Sequence, residues 1–427
     1  MEATMRQGKG LTRTELVRRG LAAGTQLCTM CGLCVAVCPA GAIRLDLSKA
    51  EPRIAIGRKC TGCSLCYIVC PGRDIPLEEL DKFLFGRERD LKTEALGVSS
   101  ACYQAHAVDP EIRARGASGG VATALLIYAL EKGIISAAAV VAYDKDQPWR
   151  ARPVLATTRQ DIIGAAQSKY VVVPVNAVLS DSEIKPLFGR LGCVGLPCHV
   201  HGLRKLQYRF PRHPLSKKLA FTLGIFCGTA QPMSSNETVL KKRFGVKSLD
   251  EIKILNYRKG KGLSAYSEVV KSDGEVIRAD KYVWITPGSL CAGRCMLCWD
   301  WGAELADLSV GDFFGPAASG SEAELGASSL VVRTEVGKRL VAGAVEAGYI
   351  KVYPTPVEPL LRSAGFVGKK FGRAATLMAC KKMGWPAPDH QYEIEPMTLP
   401  DKASLASSMT TEERERFWAE RGIHALS

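Results

Sequence analysis

At 427 residues the chain exceeds one ordinary compact core, so two or three domains are expected. A hydrophobic content of 47% fits a soluble globular protein, and no run approaches the ~20 apolar residues of a membrane helix; the nearest, 121–143, is broken by Glu131, Lys132 and Gly133. The net charge of +14 comes without an aromatic-interleaved basic patch or a helix-turn-helix pattern, so nucleic acid is not the expected partner and an acidic protein is.

Residues 1–25 form a basic lead-in with a short helix expected over Thr14 to Ala23; it has no apolar core after its charges, so no secretory signal is expected. Residues 26–82 are cysteine-dense, and 83–100 form a charged connector. Beyond Ala101 the pattern alternates between helix and strand. A helix is expected over Gly119 to Leu130, and buried strands over 134–143 and 170–175. A strand and turn over 187–198 then lead into a helix from His199, and another buried strand covers 219–228. Residues 325–353 read as strand, helix, strand, with Thr334 as helix cap, and Thr410 with Glu413 has capping-box spacing before a tail helix over 401–427. The fold class expected is α/β: a small cysteine-dense α+β domain followed by a larger α/β body.

Half of the sixteen cysteines lie between Cys28 and Cys70. In a long chain without a signal, that clustering points to metal ligation in a reducing cytoplasm. The first run is Cys28-x2-Cys31-x2-Cys34-x3-Cys38-Pro39 and the second is Cys60-x2-Cys63-x2-Cys66-x3-Cys70-Pro71. Two-residue gaps let a tight loop wrap three thiolates around one face of a cubane, while the fourth cysteine, before proline, ligates the other cluster. Cys28, Cys31, Cys34 and Cys70 therefore make one [4Fe–4S] set, and Cys60, Cys63, Cys66 and Cys38 the second, as in a bacterial-type two-cluster ferredoxin domain. The acidic partner expected from the charge is then an electron carrier such as ferredoxin, or a redox partner subunit. Zinc also takes four cysteines from paired motifs, but it seldom needs two copies of this eight-cysteine, proline-closed pattern.

The segments VGLPCHVHGLRK, LGIFCG and RCMLCWDWGAELADLSVGD, with GASGGVATALLIYALEKGIISAAAVV, AAQSKYV and VVRTEVGKRL, resemble the β-subunit family of coenzyme F420 hydrogenases and dehydrogenases. The resemblance spans most of residues 26–355. It implies a body divided into 101–215 and 216–400, carrying FAD and an iron–sulfur cluster. Carried over residue by residue, it implies a third [4Fe–4S] set at Cys198, Cys227, Cys295 and Cys298, with Cys291 as an alternative ligand. It also implies a flavin site. Ser118, Gly119 and Gly120 open a helix whose amides would meet a pyrophosphate, with Thr123 one turn inside. Ser168, Lys169 and Tyr170 precede an apolar run, and Lys169 would offset the anionic edge of a reduced flavin. Pro197, Asp307, Ser309 and Gly311 complete the pocket.

Two positions depart from the family pattern. His199 stands where glutamine is frequent, with His201 close behind, which makes a histidine facing the flavin a candidate proton relay. Gln167 stands where glycine is frequent, which puts the usual two-electron donor in doubt. The expected function is an FAD- and iron–sulfur-dependent oxidoreductase subunit, passing electrons between a two-electron carrier, F420 foremost, and a one-electron acceptor or partner. Two alternatives stay open: a ferredoxin- or NAD(P)H-linked reductase of a small organic substrate, although no G-x-G-x-x-G is present, and a non-catalytic electron-transfer module.

Overall fold

The computed structural model describes residues 27–47, 52–185, 187–260, 265–284, 291–315, 318, 326–363 and 366–392. The expected helices at 14–23 and in the 401–427 tail lie outside them.

Each cysteine run closes on a single helical turn, α1 (Leu33–Ala36) and α2 (Leu65–Ile68). Between them β1 (Ile43–Asp46) and β2 (Arg53–Ile56) pair antiparallel, with Ile43 opposite Ile56. Elements this short do not hold themselves together in water. They are held by burial: Leu33, Val37, Ile43 and Val69 share one apolar cluster with Ala137, Leu191 and Leu219 of the body. The small unit is thus built into the large one. Helix α3 (Leu77–Phe85) follows and runs into the charged connector. There Arg89 is not solvated: it is buried, donates to Asp81 at 2.6 Å and pairs with Glu304.

The body is an eight-stranded mixed sheet. Its strands are β3 (Ala101–Ala107), β4 (Ala137–Tyr143), β5 (Ala151–Ala156), β6 (Leu191–Gly195), β7 (Leu219–Ile225), β11 (Leu308–Asp312), β12 (Ser328–Val332) and β13 (Ile350–Pro354). They are ordered β13-β3-β12-β11-β7-β6-β4-β5. The centre, β11-β7-β6-β4, is parallel, and antiparallel strands flank it on both sides. Parallel strands need cover on both faces, and alternation along β4 supplies it. Ala137 and Ala139 face the cluster shared with the cysteine unit, while Ala138 and Val140 face the helices α4 (Val121–Glu131) and α5 (Glu335–Glu346). Thr334 caps α5 as expected, its Oγ1 accepting from Gly337 N at 3.3 Å. A separate antiparallel sheet of β8 (Ile252–Lys259), β9 (Tyr266–Lys271) and β10 (Val276–Asp280) packs on the same side as the cysteine unit.

One expected strand is absent. Residues 170–175 are apolar but make no ladder; Val172 N donates to Gln231 O at 2.8 Å, and Pro174 leads into a 3-10 turn over Val175–Leu179. Proline has no amide to donate and fixes its own φ, so the run serves as buried loop. The α/β class with a ferredoxin-like unit in front is the observed architecture.

Candidate redox site

The crossover pairing read from spacing corresponds to two separate hollows. One is lined by Cys28, Cys31, Cys34 and Cys70, the other by Cys38, Cys60, Cys63 and Cys66. Burial, then the neighbouring thiol of Cys70, pushes the Cys31 thiol up to about 12; burial, then Cys63 and Cys38, does the same to Cys66. Desolvated thiols that repel one another as thiolates need a cation between them, so the donor set fits a metal cluster. Cys193 gives the contrast. Its thiol also rises to about 12, but by burial alone, and it is an ordinary core residue in contact with Asn176. Cys102 and Cys380 are likewise buried in the body.

A third set assembles at the carboxyl ends of the parallel strands. Proline at the first helical position starts α6 (Pro197–Arg209) two residues after β6, and Cys198 follows it. Cys227 lies just past the end of β7, its amide donating to Trp301 O at 3.0 Å. The 291–301 loop folds onto the same place, with Ala292 N bonded to Ala230 O at 2.9 Å and Ala230 N approaching Cys295 Sγ at 3.4 Å. Burial and then Cys227, Cys298, Cys31 and Cys295 hold the Cys198 thiol well above its usual range. Cys227 is raised by burial, Cys295 and Cys298. Cys291 faces Cys295 as well, so it remains an alternative ligand.

These electrostatic neighbours put the three sets in series. Cys31 of the first hollow neighbours Cys198, and Cys34 of the same hollow neighbours Cys66 of the second. Helix α6 fixes the first junction. Cys198, Gly202 and Lys205, at i, i+4 and i+7, share one face. A Cβ at Gly202 would come 2.9 Å from Leu33 Cδ2, so glycine permits the close approach. Lys205 Nζ donates to Cys70 O, Asp74 O and Asp74 Oδ1, each at 2.9 Å.

Sequence reasoning missed the cations around the third set. Arg294 and Arg373 pull the Cys295 thiol down against burial, and Lys369 does so for Cys227. Lys369 Nζ stands 3.2 Å over the Trp301 ring, and burial lowers its own pKa to about 8. Residues 369 and 373 are four apart on α7 (Phe366–Met383), which makes one cationic stripe. That i, i+4 spacing was the available signal.

The expected flavin residues divide between two places. Most share the carboxyl rim with the third set. Ser118 Oγ meets Ser328 Oγ at 2.9 Å and Gly119 N donates to the same oxygen at 3.0 Å; Ser328 pairs with Asp312 at the end of β11. Lys169 Nζ lies 5.1 Å over the ring of Tyr143, the last residue of β4. Tyr170 neighbours Arg258, which pairs with Asp312. Arg258 is buried, and its Nε has no hydrogen-bond partner among the described residues. A buried cation with a donor to spare, on a rim where parallel strands end, suits an anionic ligand. Thr123 is buried one turn into α4, and Gly311 lies against Phe226 near the end of β11. Gly119 and Gly120 have a plainer reason for being glycine: a Cβ would come 2.6 Å from Ala105 O at the first and 2.8 Å from Ile112 O at the second.

Asp307 and Ser309 are elsewhere. Asp307 precedes β11, five residues and about 16 Å from Asp312 along an extended strand. Its carboxylate is consumed by Thr222 N at 2.7 Å, Arg204 at 2.9 Å and Thr334 Oγ1 at 2.6 Å. Ser309 is fully buried and accepts from Arg333 at 3.2 Å. Both bind strands together and do not line the rim. The proton-relay expectation for His199 is corrected too. Its Nδ1 accepts from Leu196 N at 2.9 Å and its Nε2 meets Val173 O at 3.0 Å. Burial lowers its pKa to about 4, so a neutral ring with both nitrogens engaged holds the turn before α6. His201 is buried against Asp300 at 2.8 Å. Lys169 donates to Ala165 O, Ala166 O and Gln167 O at 2.9, 2.8 and 3.2 Å, so its ammonium also closes the end of the short helix over Arg159–Gly164.

A thiol-lined double hollow in a two-run unit, joined to a mixed α/β sheet with a third cysteine set, defines an iron–sulfur protein; residues 27–75 match the 4Fe-4S dicluster domain. The body matches both models of the coenzyme F420 hydrogenase/dehydrogenase beta subunit, the N-terminal one over 102–180 and the C-terminal one over 188–357. The coenzyme F420 hydrogenase subunit beta of Methanothermobacter thermautotrophicus is 30% identical over 69% of this chain and 99% of its own. That of Methanosarcina barkeri is 30% identical over 61% of this chain and 83% of its own. A coenzyme F420-dependent sulfite reductase of Methanocaldococcus jannaschii is 32% identical over 54% of this chain but only 35% of its own. In structure, a chain of the F420-reducing NiFe hydrogenase complex of Methanosarcina barkeri aligns with a TM-score of 0.57 and 27% identity, covering 70% of this chain and 99% of that one. The chain belongs to the coenzyme F420 hydrogenase/dehydrogenase beta subunit family. No helix among the described residues is long and apolar enough to cross a membrane.

Proposed function

We propose that the chain is an FAD- and iron–sulfur-dependent oxidoreductase subunit that moves electrons between a deazaflavin of the F420 type and a one-electron acceptor or partner enzyme. The observation that carries this reading is the serial order of the three cysteine sets, with Cys198 beside Cys31 and Cys34 beside Cys66. It places the carboxyl rim at one end and the second hollow at the other.

Cys28, Cys31, Cys34 and Cys70 would hold one cluster, Cys38, Cys60, Cys63 and Cys66 the second, and Cys198, Cys227, Cys295 and Cys298 the third. Arg294, Lys369 and Arg373 offset the thiolate charge of the last set. FAD, when bound, accepts electrons in pairs and releases them singly. The residues that would hold it on the rim are Ser118, Ser168, Tyr170, Arg258 and the start of α4, with Lys169 beside them. Arg258 orients an anionic group through its spare Nε–H, and Tyr170 fixes Arg258. The F420 hydrogenase subunits named above support the deazaflavin as donor or acceptor.

A second reading, a wiring module without flavin, is favoured by one observation: Lys169, Asp307 and Ser309 are engaged inside the protein. An anaerobic titration decides between them. Purified holoprotein receives F420H2, NADH, NADPH or reduced ferredoxin in turn while the visible spectrum is followed. Bleaching of a bound flavin by F420H2 is the expected result. Absence of flavin gives the wiring module, and bleaching by a pyridine nucleotide alone removes F420.

A further inference from the structure

We infer that the surface over the second cysteine hollow, centred on Arg58 and Lys59, is the docking face for an acidic one-electron carrier protein. This rests on the relay reading above and adds where electrons cross the surface and what receives or delivers them there.

Cys63 alone among the sixteen cysteines is exposed. It lines the second hollow, the set farther from Cys198 in the series. Pro39, Thr61, Arg58 and Lys59 around it are exposed as well. The turn that carries the two cations is fixed by backbone bonds, Gly57 N to Ala42 O at 2.7 Å and Cys60 N to Gly57 O at 3.4 Å. Arg58 and Lys59 are therefore carried on a fixed turn that runs directly into Cys60, which lines the hollow, and do not trail from a loose loop. Neither has an ion-pair or hydrogen-bond partner among the described residues.

The local sequence reinforces the charge. Residues 27–45 and 52–73 contain no Asp or Glu and carry Arg44, Arg53, Arg58, Lys59 and Arg73. Asp46 stands opposite Arg53 and Asp74 lies 3.8 Å from Arg73, so the cations left over are Arg44, Arg58 and Lys59. Other exposed cations are unpaired among the described residues too, Lys132 and Lys351 among them; what sets Arg58 and Lys59 apart is their place beside the exposed Cys63 of the second hollow. A positive face beside the one exposed thiolate position steers a negatively charged protein. In the transfer itself one electron leaves the reduced second cluster and one enters the carrier's single-electron centre, or the reverse; no proton and no bond is exchanged.

The test measures binding separately from turnover. Immobilised holoprotein is exposed to an acidic bacterial two-cluster ferredoxin, and Kd is followed from about 0.02 to 0.3 M salt, a range that spans strong and weak screening. The double variant R58E/K59E is expected to weaken binding by at least about tenfold at low salt and to flatten the salt dependence. The remote pair K132E/K351E is expected to change Kd by less than about twofold. Iron content of each variant is measured; if R58E/K59E loses iron, the neutral pair R58Q/K59Q is judged instead, with a loss of about threefold or more expected. Unchanged affinity in the iron-replete variant, or equal loss in the remote pair, overturns the docking face. Its failure is distinct from that of the relay: a donor that bleaches the flavin while the carrier ignores Arg58 and Lys59 removes the docking face alone. Charge-dependent binding to a protein that no donor reduces removes the relay reading and leaves the docking face standing.

Discussion

The two cysteine-bearing regions are built by opposite means. In residues 27–75 three ligands of each proposed set sit within seven consecutive positions, and only the fourth comes from the other run. In the body the four come from three segments separated by up to a hundred residues, gathered because β6 and β7 run parallel and end at one rim. The first arrangement is a property of local chain geometry; the second exists only when the sheet has formed. The first also has almost no structure of its own, with helices of four residues and strands of four, whereas the second rests on extensive cores on both sheet faces. Metal is therefore expected to matter to the folding of the first, which otherwise rests on its burial against the body, while the proposed third set would be a guest of a sheet already formed.

That contrast breaks most visibly on iron removal. Anaerobic holoprotein should carry about twelve irons in three sets. Stripping them should raise amide exchange across 27–75 by orders of magnitude while β4, β6 and β7 stay protected, as hydrogen-exchange mass spectrometry would record. Equal loss of protection in both regions would show that the body set is structural too. A Cys295→Ala variant sharpens the same point. It should lose about four irons and keep about eight, and full iron retention would transfer the role to Cys291.

A smaller effect tests how the regions are joined. Arg89 is fully buried between Asp81 on α3 and Glu304 near the third set, and Lys370 Nζ meets Glu304 at 2.6 Å. An Arg89→Met change leaves two buried carboxylates short of a partner, and breaking such a network costs about 3–5 kcal/mol. The apparent Tm should fall by several degrees. A shift under about 1 °C would mean that water reaches these carboxylates and the two regions are not locked together there.

Lys205 acts on the junction more gently. Lys205→Met keeps the apolar stem on α6 and deletes three donors to Cys70 O and Asp74. The expected outcome is unaltered iron content with slower transfer between the body and the ferredoxin sets in stopped flow. Fast transfer with unaltered iron would show that Gly202 packing alone holds the distance.

What could be read in the sequence follows the same divide. The cysteine runs announce their chemistry because a cubane needs ligands at spacings that one loop provides. Strands β4, β6 and β7 announce themselves because parallel strands buried on both faces read as unbroken apolar runs; β12, antiparallel to both neighbours but equally buried, reads the same way. Residues 170–175 carry that signature but form a loop, since burial and strand pairing are separate facts and Pro174 has no amide to pair. The β8–β10 sheet went unread because its exposed face is charged, as in Arg278 bonded to Glu268 at 3.0 Å. Asp307 and Asp312 look equivalent in one motif, yet a strand carries them to opposite ends of the sheet. Arg258 belongs to no local motif and Lys369 shows only its i, i+4 spacing with Arg373, so the fold alone reveals what they stand beside.

Lys169 gives the smallest and most diagnostic effect, because two roles converge on one ammonium. Its Nζ closes the helix end at Ala165 and Ala166 and stands on the rim over Tyr143. Burial lowers its pKa from 10.5 to about 7. The folded chain therefore releases this proton near pH 7, and the unfolded chain keeps it until about 10.4. Between those values the unfolded state binds more protons, so stability rises with pH through this group. A Lys169→Met variant lacks that rise. Its Tm should sit slightly below wild type at pH 7, from the lost carbonyl contacts at about 1 kcal/mol, and fall further behind toward pH 10. A gap that stays constant with pH would show that the lysine remains charged in the folded protein, its three carbonyls outweighing burial. The same variant reports on the rim. If FAD lies beside Lys169, its potential should drop below wild type when the charge is removed at pH 6, and the difference should shrink by pH 9, where the wild-type lysine is neutral. Equal potentials at pH 6 would leave Lys169 with the helix end alone, and would move the proposed flavin contact to Arg258.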